Sequence, residues 1–147
     1  MLGDFLRHLG SASVVVAIGY VLGFRPEAGL LGVATAMLIL AVFAFGVGWV
    51  FSALALLLKS PASVLTVGSL IIFPFTFVSN LFVDPATMPA WLQPIIDANP
   101  ITHLIVALRA AMDGSFSLEI AAAALVAPLA MVSLFAPITL RAYGRSR

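Results

Sequence analysis

Four long apolar runs, parted by short polar breaks, make up most of the chain. Leu9–Phe24 carries no charge over sixteen residues and Ala28–Leu58 none over thirty-one; Ala62–Val83 has none, and Leu118–Leu140 has only Glu119 near its start. Crossing a bilayer takes roughly 20 apolar residues at about 1.5 Å each. The first run reaches that length once Phe5 and Leu6 of the amphipathic start MLGDFLRH join it. Spans are therefore expected over about 5–24, 30–58, 62–83 and 118–140. The second exceeds a ~30 Å hydrocarbon core and must tilt, kink or begin among the headgroups. Gly46 and Gly48 are its expected weak points or places of close helix contact. Pro74 lacks an N–H and should kink the third span, with Thr76 and Ser79 near enough to satisfy the freed carbonyl. A signal peptide fits poorly, because Asp4 sits in the would-be basic region and no good A-x-A site follows Tyr20.

Between the third and fourth runs the pattern changes. Phe73–Gly114 holds five of the nine prolines. Within it, residues 84–114 read as a folded cap. Thr87 is placed to cap a helix opening at Met88–Pro89, with Trp91, Leu92, Ile95 and Ile96 on one face. Asn99–Pro100 repeats the start signal. The helix it opens puts Ile101, Leu104, Ile105, Leu108, Ala111 and Met112 on one side, and Thr102, Arg109 and Asp113 on the other, with Gly114 as its stop. Its fourteen or so residues are too few for a crossing, so it should lie in the interface or re-enter part way against the other helices. Ser117 is positioned to cap the last run, which Pro128 and Pro137 should bend. The expected fold class is all-α: a polytopic helical membrane protein of four spans plus two short amphipathic extracytoplasmic or re-entrant helices.

Composition agrees. Only 9% of the residues are charged and 63% are hydrophobic, against about 25% charged in soluble domains, so lipid must serve as solvent. A net charge of +1 offers no basic surface for nucleic acid. With both ends on one side, Arg7, Lys59, Arg141, Arg145 and Arg147 share a face and only Arg25 and Arg109 oppose them. That bias favours a multi-pass protein of the cell membrane with both termini in the cytoplasm and the cap outside.

Candidate chemistry is sparse. Without cysteine there is no disulfide or thiolate metal site. No G-x-x-x-x-G-K-[ST] occurs, so the chain carries no P-loop for ATP. His8 and His103 have no ligand-spaced partner and read as interface histidines without metal. Asp84, Asp97 and Asp113 read as loop solvation. No ionisable residue falls in the middle of a span, which weakens an ion-coupled carrier and an intramembrane enzyme alike. No cofactor and no catalytic residue is expected.

The string FPFTFVSNLFVDPATMPAWLQPIIDANPITHLIVALRA resembles the C-terminal signature of type-2 ABC exporter permeases, most of all the daunorubicin/doxorubicin-resistance branch. The resemblance is carried by Pro74, Asn80 and Phe82, then Met88, Pro89, Trp91 and Leu92, then Asn99, Pro100, Thr102 and Arg109. Gly23–Pro26 and Lys59–Pro61 match the family's loops. It implies a six-span permease that pairs with a second copy, binds cytoplasmic ATPase subunits that supply all ATP hydrolysis, and moves hydrophobic or amphipathic compounds outward. The motif residues would then form the external gate region. Against that pattern the chain begins at the third span, so the alternative is a truncated, non-transporting integral membrane protein or assembly partner.

Overall fold

The computed structural model describes residues 2–79, 87 and 89–144. Among them the chain forms α1 (Leu2–Val21), α2 (Gly29–Leu58), α3 (Pro61–Phe77), α4 (Gln93–Asp97), α5 (Pro100–Asp113) and α6 (Leu118–Gly144), and no strand.

The axis of the bundle is α2. It has thirty residues, none charged, and at about 1.5 Å per residue it is about 45 Å long. No side chain caps its start; the Ala28 N–H instead donates to the Met112 carbonyl at the far end of α5, 3.0 Å away. At the other end Lys59 takes a left-handed conformation at φ 52° and its N–H closes onto Ala55. The chain then turns through Ser60, whose hydroxyl accepts from the Ser63 N–H, and Pro61 opens α3. That pairing makes α3 antiparallel to α2, with Phe51 packed over Gly68.

Helix α2 packs chiefly on α6 and α5. The contact is made by small residues. A Cβ on Gly46 would lie 2.8 Å from the Cα of Pro128 in α6, and one on Gly32 would collide with the Ala111 carbonyl of α5. Gly48 has nothing within 4 Å. Of the two glycines singled out in the sequence, only Gly46 is therefore a place of close approach. The core joins Ala36 and Ile39 of α2 to Leu104, Ala107 and Ala111 of α5 and Ala124 of α6, with Phe43 and Ile120 at its edge. Alanines let three backbones come together where larger residues would hold them apart.

Helix α1 stops at Val21, where Gly23 turns the chain at φ 94°. Helix α3 stops at Phe77; residues 80–83 of the expected 62–83 span lie outside the described residues. After Pro74 the ladder tightens, the Ser79 N–H and hydroxyl both turning back to the Thr76 carbonyl. The hydroxyls expected to serve the carbonyl freed by Pro74 go elsewhere: Thr76 donates to Ile72 and Ser79 to Thr76, whereas the freed acceptor is that of Leu70, four residues before the proline. Ser117 caps α6 through the Ile120 N–H at 3.3 Å, as its position suggested.

Gly29–Leu58 and Leu118–Arg141 are long and apolar enough to cross a membrane; Gly10–Val21 and Pro61–Phe77 are shorter apolar helices. Large side chains such as Leu30, Leu65, Phe73, Leu118 and Leu129 stand exposed on their outer faces. A soluble monomer does not carry apolar surface on that scale.

Candidate functional site

Pro74, Asn99, Pro100 and Thr102 of the motif meet at the joint between α3 and α5. Asn99 is in extended conformation, and its side-chain oxygen accepts the Ile101 N–H at 2.9 Å. Its amide nitrogen donates to the Phe75 carbonyl at 2.6 Å. Phe75 lies in the last turn of α3, where carbonyls lack intrahelical partners. One side chain thus satisfies the orphan acceptor of one helix and the orphan donor of the next. Asn99 is 3% exposed, so both bonds are shielded from water.

From that joint α5 runs antiparallel to α2, ending where Met112 meets Ala28 and Ala111 meets Gly32. Gly114 terminates it at φ 76°. Helix α5 stands beside the first half of α2 and against α6. The Asn99 cap, the proline start and the glycine stop all lie where the sequence put them.

The faces of α5 are less simple than expected. Leu104 and Ala111 are buried against α2, while Arg109 and Asp113 are exposed. Thr102 is the exception. It shares its stripe with Arg109 and Asp113 at helical spacing, yet it is only 7% exposed, and among the described residues its hydroxyl has no hydrogen-bond partner. It sits in the first turn, beside the joint, where neighbouring chain covers a stripe that is open further along.

From Pro89 to Leu92 the chain forms a turn in place of the expected helix. Leu92 closes onto Pro89, and regular α4 covers only Gln93–Asp97. Pro94 has no N–H to offer the Ala90 carbonyl, so no continuous ladder crosses that point. The four residues expected on one face part company: Ile96 is 0% exposed, Leu92 is half-buried, Ile95 is exposed and Trp91 is 71% exposed. Pro74 and Pro89 are exposed and Pro100 is half-buried. Asn80, Phe82 and Met88 lie outside the described residues. The structure therefore brings Pro74, Asn99, Pro100 and Thr102 to one place, and leaves Arg109 about 15 Å along α5 from Asn99 and Trp91 out on the surface.

One side chain had no signal in the sequence. His103 lines a groove of about 460 Å³ between the start of α5 and the middle of α6, and is half-buried there. Its spacing with Ala107 and Ala110, at i+4 and i+7, puts it on the face of α5 turned to α6.

Residues 1–112 match the ABC-2 type transporter family, and the chain belongs to that family; with its apolar helices, it is an integral membrane protein. Over 143 residues it is 41% identical to the daunorubicin resistance ABC transporter permease protein DrrB1 of Streptomyces coeruleorubidus. The alignment takes in 97% of this chain and 50% of that relative, so the chain spans about half the relative's length. No solved structure matches it significantly.

Proposed function

We propose that this chain acts as a permease subunit, or as part of one, in an ATP-driven exporter that moves hydrophobic or amphipathic compounds, such as drugs or antibiotics, out of the cell. ATP hydrolysis belongs to a separate cytoplasmic P-loop ATPase, and two permease copies share the translocation path. In this reading α1, α2, α3 and α6 cross the cell membrane with both termini inside. The turn at Trp91 and the Asp113 end of α5 face outward, and the Asn99 end of α5 reaches into the bilayer. Residues 84–114 act as the outer gate. The observation that carries the reading is the 41% identity along nearly the whole chain to a protein named as a drug-resistance permease. Supporting it, Asn99 and Pro100 of the motif open a helix joined to α3 by one buried side chain.

The test is to express a tagged chain in its native cell, purify it in mild detergent and identify what comes with it. A P-loop ATPase should co-purify, and vesicles holding the pair should accumulate a lipophilic fluorescent cation only with ATP. Purification without any ATPase, together with unchanged drug tolerance on deletion, would overturn the proposal.

A further inference from the structure

The groove between α5 and α6 has the make-up of a ligand site. Its walls are Pro100 and His103 on one side and Ala127, Ala130, Met131 and Phe135 on the other. Its volume of about 460 Å³ lies within the roughly 300–1,000 Å³ of small-molecule sites, which are mostly apolar with a few placed polar groups. The space exists because α6 presents alanines where a larger residue would pack against α5. The polar side chain in the wall is His103. Among the described residues its imidazole has no hydrogen-bond partner.

Depth sharpens the point. Met112 meets the first residues of α2, and His103 lies nine residues earlier on the same helix, about 13 Å lower. With α2, about 45 Å long, centred on a hydrocarbon core of about 30 Å, the imidazole falls within the core. An ionisable side chain there is expensive unless it is paired.

We infer that this groove binds an amphipathic small molecule, with its apolar body along the alanines of α6 and its hydroxyl or amine hydrogen-bonded to His103. A lipid acyl chain fills apolar space equally well but leaves the imidazole unpartnered. The inference rests on the permease reading for its depth in the bilayer and for the ligand's role as cargo; the groove and its one polar wall residue do not depend on it.

The experiment uses the full chain in phosphatidylcholine nanodiscs, without ATP or ATPase. The probe is a long-chain primary alcohol bearing a diazirine, and the control is the diazirine alkane of equal length. After irradiation, labelled peptides are mapped. The alcohol should label residues 98–135 at least about tenfold more than the alkane, the order of one hydrogen bond in an apolar site. His103→Leu should abolish that preference and His103→Gln, which keeps a donor and an acceptor, should retain it. Ala127→Phe should suppress labelling with helix content unchanged. Equal labelling by the two probes, meaning that lipid chains fill the groove, would overturn the inference. So would an unchanged preference in His103→Leu, or efficient disulfide formation between two Ala127→Cys chains, meaning that a second copy covers the groove. Because no ATP is used, a failure here leaves the transport assay free to succeed, and the reverse holds too.

Discussion

The side-chain nitrogen of Asn99 donates to the main-chain carbonyl of Phe75 across 2.6 Å, from 24 residues further along the chain. Removing it leaves a buried acceptor on α3 and a buried donor on α5. Asn99→Ala should therefore destabilise the protein by about 1–3 kcal/mol. Asn99→Asp separates the two bonds: it keeps the cap on Ile101 but sets a carboxylate against the Phe75 carbonyl. Denaturant titration in detergent should find Asn99→Asp nearly as costly as Asn99→Ala. An aspartate variant as stable as the parent would mean that the link to α3 carries no energy.

Gly46 and Gly48 form an internal comparison. A methyl group on Gly46 meets backbone and side chain of Pro128, while one on Gly48 meets nothing. Gly46→Ala should cost about 1–3 kcal/mol by overpacking. Gly48→Ala should stabilise by up to about 1 kcal/mol, because alanine is the better helix former. The same unfolding measurement decides, and equal effects would contradict the packing of α2 on α6.

Among the described residues, two buried polar atoms have no partner, the Trp49 Nε1 and the Thr102 hydroxyl. Each is a donor that its surroundings do not use, so Trp49→Phe and Thr102→Val should be neutral or stabilising by up to about 1 kcal/mol. Trp49→Ala should be clearly destabilising, because it also removes the edge-to-face contact with Phe45. If Thr102→Val lowers transport while leaving the unfolding midpoint in place, the hydroxyl serves the cargo path and not the fold.

Orientation is open to chemical labelling in intact cells. Ala90 and Gln93 are exposed beside Trp91, and Lys59 is exposed at the opposite end of the bundle. Single cysteines at 90 or 93 should react with an impermeant maleimide, and one at 59 should react only after permeabilisation. Equal reaction at all three would contradict an outward-facing cap.

Local signals are legible in this sequence, and distant ones much less so. Asn99, Pro100 and Gly114 each act through neighbours within four residues, and α5 begins and ends where they place it. The apolar runs of α2 and α6 need only length and the absence of charge. The breaks in α3 and near Trp91 are harder, because a proline can be absorbed or can end a helix depending on what surrounds it. Asn99 is legible as a cap but not as a bridge, since its second partner lies in another helix. Periodicity alone sets Thr102 on an open stripe and gives His103 no neighbour. It fixes which stripe a residue is on, and only the packing of α3, α4 and α6 decides whether that stripe is covered.

The bond from Ala28 to Met112 has a mechanical consequence. Pinned to α2 at its C-terminal end and to α3 at its N-terminal end, α5 is a strut between two neighbours that run in opposite directions. Any sliding of α2 past α3 must tilt that strut or snap one of its two pins, so a shear between those two helices becomes a rotation of the third.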